Sequence, residues 1–344
     1  MRNTSYTLFS LLLLFSAYST AGNAQSSIFE ELSMVDEISL ELPLDSISKQ
    51  RNTATHFQAT LQYKLKKEKK SWNIELKTRG KYRKRICSVP PLSMRFHKED
   101  LQEKGYQKWK KVKMVTPCIK NWESDEYILR EYLAYKLYEL ISDKHIRTHL
   151  VKIKYKNSQS GKTIKRYGIL IEDEEETANR LDVSVCEDCY NYSPEKIDQQ
   201  AARIQDLFQF MIGNVDYSLI MVRNIKLMIP SDSSNAFIIP YDFDFCGLVN
   251  APYAVPNVDL KLSSCRERRF LGHEQDDNEL KLASAYFQSK QDEILDYVMD
   301  FKKLSRDSRV DVYKYLLDFF KCLKKGEILD YTPANKAIEA AGGK

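Results

Sequence analysis

The chain has 344 residues, 43% hydrophobic and 29% charged, with 11 glycines and 10 prolines. That composition is globular and excludes disordered, collagenous and low-complexity classes. The net charge of +5 is too small to argue for a nucleic-acid partner, so the distribution of charge carries more information than its total.

Residues 1–24 read as a secretory signal. Arg2 supplies the positive start, Leu8 to Phe15 a short apolar run, and Gly22-Asn23-Ala24 the small residues of a cleavage site. The apolar run is far shorter than the ~20 residues that a spanning helix needs. The expectation is therefore an exported protein, periplasmic or extracellular, with no transmembrane segment after signal removal. Residues 25–54 read as an N-terminal extension.

From Phe57 to Leu65, and again through Trp72, Ile74 and Leu76, apolar residues fall on alternate positions and predict a β-hairpin. Leu92 to Phe96 and Val112 to Met114 continue the strand rhythm. A stripe through Tyr127, Ile128, Tyr132, Leu133, Leu137, Leu140 and Ile141 predicts a long helix from Glu123. Strands resume at Leu150 to Tyr155 and Tyr167 to Ile171, around the turn residues Asn157 to Gly161. An acidic run, Glu172 to Glu176, marks a boundary. Beyond it a helix runs through Ile197 to Ile212, strands through Asn224 to Ile229 and Phe237 to Tyr241, and apolar stripes from Leu280 to Phe320 predict further helices. The order is a β-rich lobe with one long helix (55–176), then a mainly helical lobe containing a β-hairpin (177–335), then a short tail (336–344).

Seven cysteines in an exported chain permit disulfides, and the odd number leaves at least one thiol outside any intrachain pair. Cys87 and Cys118 are the favoured pair, because both end short strand-like runs. Cys186 and Cys189 form a C-x-x-C whose simplest reading is a local disulfide or plain thiols, since no further metal ligands follow at regular spacing.

Residues 64–85 hold eleven Lys or Arg against two Glu. Lys66 to Lys70 read as a solvated strand turn, whereas Lys77, Arg79 and Lys113, set among apolar residues or beside Gly80, are candidates to face an anion. In the second lobe Asp216 follows a predicted helix, Asn224 opens a strand, and Asp242 and Asp244 sit two apart in an apolar run. Carboxylates placed so are costly unless they bind a cation or a strong donor. Asp242, Asp244 and the Asn224 amide suit Mg²⁺ or Mn²⁺, with Asp216 left as a base.

The runs Leu76 to Tyr82, Val112 to Cys118, Tyr127 to Leu133, Gly213 to Ser218, Arg223-Asn224 and Pro240 to Asp244 resemble the spore-coat-protein-H (CotH) kinase-like family, particularly its exported bacterial members. The resemblance implies an α+β, atypical protein-kinase-like two-lobed fold and transfer of phosphate from ATP to a protein Ser or Thr. It also implies that Lys113 sits on the nucleotide phosphates with Glu131 as its ion-pair partner, Lys77 being the rival lysine. Asp216 becomes the catalytic aspartate, and Asn224 and Asp242 the metal ligands. Glu172 falls in the adenine-contacting connection, and Arg79 in a phosphate-covering turn. The sequence departs from ordinary kinases in having no G-x-G-x-x-G and no H-R-D, and in placing Asn224 eight positions after Asp216.

Two other classes stand beside the kinase reading. One is a catalytically inactive, kinase-like binding module at the cell envelope, gripping an anionic ligand or a surface partner through the basic lobe. The other is a metal-dependent hydrolase, against which no histidine accompanies the carboxylates. Nucleic acid is not an expected partner.

Overall fold

A computed structural model describes residues 25–87, 89–118, 123–232, 234–272 and 277–332. The segments read from the sequence as a secretory signal (1–24) and a tail (336–344) lie outside the described residues.

Ser27 opens the first short helix, α1 (Ile28–Leu32), with a capping box in which its hydroxyl accepts the Glu30 N–H while Glu30 reaches back to the Ser27 N–H. Seven strands follow: β1 (Glu37–Leu42), β2 (His56–Leu65), β3 (Glu68–Thr78), β4 (Leu92–Phe96), β5 (Lys111–Val115), β6 (Thr148–Asn157) and β7 (Thr163–Ile171). They close into a barrel in the order β1-β2-β3-β4-β5-β7-β6. Every neighbouring pair is antiparallel except β1 with β6, which run parallel with Glu37 opposite Lys152 and Leu42 opposite Asn157.

Strict alternation drives the closure. Along β2, Phe57, Ala59, Leu61 and Tyr63 are buried while the residues between them are more exposed, so a single apolar face points into the barrel. α1, α2 (Leu44–Lys49) and α4 (Lys98–Glu103) add Ile28, Phe29, Leu32, Ile47 and Leu101 to the same core.

The expected two-lobed kinase-like architecture is therefore corrected. The β-rich part is a closed seven-stranded barrel, in a chain of mixed α and β content. The barrel also takes in β1, which lies N-terminal to the 55–176 span read from the sequence.

The second core joins barrel to helices. The long helix α5 (Glu123–Glu139) buries Ile128, Leu129, Leu133, Ala134, Tyr135, Leu137 and Tyr138. One set of neighbours is Leu150, Ile169 and Ile171 from the outer face of β6 and β7; the other is the remaining helices. These are α7 (Gln199–Ile212), α8 (Asp277–Ser289), α9 (Gln291–Asp300) and α10 (Arg306–Lys325). A helix apolar on most of its circumference is what that sandwiched position requires. Between α6 (Glu174–Arg180) and α8 a small antiparallel sheet, β10-β9-β8, is formed by Val183–Val185, Ile225–Pro230 and Phe237–Pro240. Cys87 is bonded to Cys118 and Cys186 to Cys189, leaving Cys246, Cys265 and Cys322 as free thiols. Among the described residues no helix is long and apolar enough to cross a membrane.

Candidate active-site cleft

A cleft of about 680 Å³ opens where the barrel meets the helical part, a size typical of small-molecule sites. From the barrel side it is lined by Arg79, Gly80, Lys81, Tyr82, Arg83, Pro91 and Val115. From the other side come Asp216, Arg223, Asn224, Tyr241, Asp242 and Asp244. Arg79, Asp216, Asn224, Asp242 and Asp244, scattered over 166 sequence positions, thus share one cavity.

The loop that carries Asp216 is fixed from its start. α7 ends on Gly213, whose φ of +64° puts it in the left-handed region. A Cβ there would run into the Tyr315 hydroxyl, so glycine is needed for both backbone and space. The buried Asn214 then donates to Gln209 Oε1 at 2.9 Å and accepts the Asp216 N–H at 3.0 Å. Asp216 meets Arg223 Nε at 3.4 Å, and its Oδ2 and main-chain oxygen both accept from Asn224 Nδ2, at 3.0 and 2.6 Å. Burial, together with the charge of Asp242, holds the Asp216 carboxyl above the usual carboxylate range despite Arg223.

Asp242 and Asp244 flank Phe243, which is fully buried against Tyr135 at 4.7 Å and Phe208 at 5.5 Å between ring centres. The Asp242 N–H donates to the Tyr135 hydroxyl at 2.9 Å. Asp242 (φ +64°), Asn224 (φ +54°) and Val222 (φ +46°) all occupy the left-handed region without being glycine. Such conformations are uncommon, and for a β-branched valine they are strained. Their concentration at one cleft shows that surrounding contacts dictate the backbone there.

Behind the cleft lies a buried charge cluster. Arg83, on α3 (Tyr82–Ile86), reaches Glu131 Oε2 at 3.3 Å and Asp244 Oδ2 at 3.8 Å and donates to the Thr116 carbonyl at 2.5 Å. Asp244 also accepts from the Tyr253 hydroxyl at 3.2 Å, while Glu131 Oε1 is buried with no hydrogen-bond partner. Two carboxylates share one guanidinium here. Burial and the charge of Asp242 push the Asp244 carboxyl up to about 7. Burial pushes Glu131 up to about 8, with Asp244 and Asp242 adding to it against the pull of Arg83.

The ion pair expected between Lys113 and Glu131 is not formed. Lys113 faces outward from β5 and meets Glu174 Oε2 at 2.8 Å; Lys226 reaches the same oxygen at 2.9 Å. Although burial works against it, the charge of Lys113 and the bonds from both lysines hold the Glu174 carboxyl down to about 2. Lys77, the rival lysine, is exposed on β3 opposite His56 and Ser93. Glu172 lies away from the cleft lining, and its buried carboxylate is filled by Arg147, Arg180 and Thr177. Sequence reasoning missed Arg83, Tyr135 and Glu174. Arg83 carried no distinguishing signal within Tyr82-Arg83-Lys84-Arg85.

No family model matches the chain, and no curated protein matches it. The spore-coat-protein-H resemblance thus rests on its short motifs alone. Among solved structures, a crystal structure of the Helicobacter pylori proinflammatory kinase CtkA is similar at 12% identity, covering 73% of this chain and 92% of that one, with a TM-score of 0.39. A likeness at that score fixes neither activity nor site.

Proposed function

We propose that the cleft is a phosphotransfer site, taking a nucleoside triphosphate with a divalent cation and passing the terminal phosphate to a hydroxyl of a protein. The observation that carries this reading is that Asp216, Asn224, Asp242 and Asp244 line one cavity together with Arg79 and Lys81. Hard oxygen donors on one side and cations on the other suit a metal-bound polyphosphate.

The residues present fit Mg²⁺ or Mn²⁺. Among the described residues no group of three or more His, Cys, Asp or Glu is arranged to hold a metal by itself. Mg²⁺, however, is commonly held by one or two carboxylates with phosphate oxygens and water completing the shell. Asp242 and the Asn224 Oδ1 are the residues to hold it, with Asp244 behind them. Burial, and after it the charge of Asp242, raises the Asp216 and Asp244 carboxyls, and a dication beside them would favour their ionised forms. When bound, the cation offsets phosphate charge and orients the terminal phosphoryl group.

The chain's own residues supply the rest. Arg79 and Lys81 face the phosphates from the barrel side, and Pro91, Val115 and Tyr241 offer apolar walls. Asp216 orients the acceptor hydroxyl and takes its proton as the new O–P bond forms and the bond to the departing diphosphate breaks. Its raised pKa brings it nearer to that task. Arg83 does not touch the reacting atoms; it positions Asp244. The two disulfides support work outside the cytoplasm, where such bonds persist.

A second reading, a binding module without turnover, is favoured by the engagement of Lys113 and Lys226 with Glu174 and of Asp216 with Arg223. Terminally labelled ATP with Mg²⁺ or Mn²⁺ and a protein acceptor separates the two. The expected result is incorporation that falls by about 10²-fold or more in Asp216→Asn and in Asp242→Asn. ATP binding unaffected by Asp242→Asn, with no incorporation in any variant, overturns phosphotransfer in favour of the module.

A further inference from the structure

The chain between Asp216 and Asn224 forms a small hairpin at the cleft mouth. The Ser218 N–H donates to the Arg223 carbonyl at 3.1 Å and the Arg223 N–H to the Ser218 carbonyl at 2.9 Å. Leu219 is buried in a local apolar cluster with Tyr217, Cys189 and Ile225, which anchors the base. The tip is tied as well: the Met221 N–H donates to Ser218 Oγ at 3.2 Å, and the Asn191 N–H donates to the Ile220 carbonyl at 2.8 Å. That last bond joins the hairpin to the loop that follows the Cys186–Cys189 disulfide.

This well-braced tip exposes apolar side chains. Ile220 and Met221 are each 61% exposed, and Tyr190, on the adjoining loop, is 65% exposed. Tyr190 and Met221 line the same cavity as Asp216. One exposed apolar residue needs no explanation, but three on two hydrogen-bonded loops at the rim of a cleft mark a contact surface. A nucleoside triphosphate in the cavity does not account for all three, since Ile220 is not among the residues that line it. The rim also carries positive charge: Arg223, on the same hairpin, meets Asp216 at 3.4 Å yet keeps 54% of its side chain exposed.

We propose that the hairpin tip Ile220-Met221, with Tyr190, docks an extended polypeptide acceptor that carries an apolar side chain next to its Ser or Thr and an acidic side chain beyond. This inference rests on the phosphotransfer reading and names the specificity of that site. An extended chain advances about 3.3 Å per residue. A hydroxyl held at Asp216 therefore leaves its near neighbours over the rim, where Ile220, Met221 and Tyr190 meet apolar groups and Arg223 meets an acidic one.

The test is equilibrium binding of short fluorescein-labelled peptides, each with one serine, measured without ATP. The peptides differ only in having Leu or Ala beside the serine and Glu or Lys further out. The Leu-Glu peptide is expected to bind at least about tenfold more tightly than the Ala-Glu peptide and than the Leu-Lys peptide, the charge preference weakening with salt. In the Ile220→Ser/Met221→Ser double variant the Leu preference is lost; in Ile220→Ser, whose side chain lies outside the cavity lining, it weakens while ATP binding is unchanged, and Tyr190→Ser weakens it in part. A wild-type protein that does not discriminate, or a folded double variant that still does, overturns the proposal. So does a wild-type dimer that the double variant abolishes, because the tip would then be covered by a second copy. Because the binding assay needs no turnover, discrimination without phosphate incorporation refutes phosphotransfer alone and leaves the docking surface standing.

Discussion

Replacing Arg83 by methionine keeps most of the buried stem volume and removes the cation that Glu131 and Asp244 share. Two costs follow. The Thr116 carbonyl loses its donor, a cost of about 1 kcal/mol at any pH. The two carboxyls lose their counter-charge, and leaving a buried charge unpaired costs roughly 3–5 kcal/mol. That second cost depends on pH, because the carboxyls escape it by taking up protons. With Asp244 already pushed up to about 7 and Glu131 to about 8, both are protonated near pH 5.5 in the variant, and only the first cost remains. A carboxyl whose folded pKa is raised contributes stability below its unfolded pKa and loses it as pH rises through the folded value. The wild-type protein is therefore expected to lose some stability through pH 7 to 8, and Arg83→Met to lose considerably more. Urea unfolding of both proteins, with m-values compared to check that the same surface is exposed, should give a destabilisation of about 1 kcal/mol at pH 5.5 and roughly 3–5 kcal/mol at pH 8.5. An equal destabilisation at both pH values would refute the shared-cation account.

Gly213→Ala forces a Cβ onto the Tyr315 hydroxyl at a positive φ and should cost about 2 kcal/mol or more. Adding Tyr315→Phe should recover part of the thermal stability, and no recovery would mean that backbone strain alone is responsible. Reduction of Cys87–Cys118, or the paired serine variant, opens a link across 31 positions and should lower unfolding stability by roughly 3–4 kcal/mol. It should also loosen Arg83, which lies four residues before Cys87, and a reductant with no effect on chemical denaturation would count against that. Glu174→Gln removes the charge that holds Lys113 and Lys226, so calorimetry should register tighter ATP binding by several-fold; unchanged or weaker binding would place both lysines outside the nucleotide's reach.

The strands that the sequence discloses most clearly are those whose burial is one-sided. β2 and β3 alternate cleanly because one face is inside the barrel, whereas α5 and α7, buried on most of their surface, are legible from apolar residues at helical spacing. β1 alternates too, through Ile38, Leu40 and Leu42, but its parallel partner β6 lies more than a hundred positions away, and no local pattern reports a pairing of that kind. Closure of the barrel was hidden for the same reason. In the cleft, acidic residues within apolar runs stood out because an unpaired carboxylate is costly there, and Asp216, Asn224, Asp242 and Asp244 converge. The basic side was harder to read. Arg83 is 6% exposed whereas Arg85, in the same short helix, is exposed. Eleven interchangeable-looking Lys and Arg residues give no sign of which one turns inward to meet Glu131, and the pairing with Lys113 is only what the kinase-like resemblance implies.

The parallel seam between β1 and β6 has a consequence for how the chain matures. Until β6 has been made, β1 can hold only β2, and the forming sheet carries two open edges whose unpaired backbone groups invite association with other chains. Closing that seam is a long-range contact, slow to form because the intervening loop must first be brought together. The segment 37–42 thus acts as a latch that is synthesised first and fastened late. A protein shortened past Leu42 would keep β2 and β6 as permanent edges, and its failure would be seen as aggregation during refolding before any loss in the cleft could be measured.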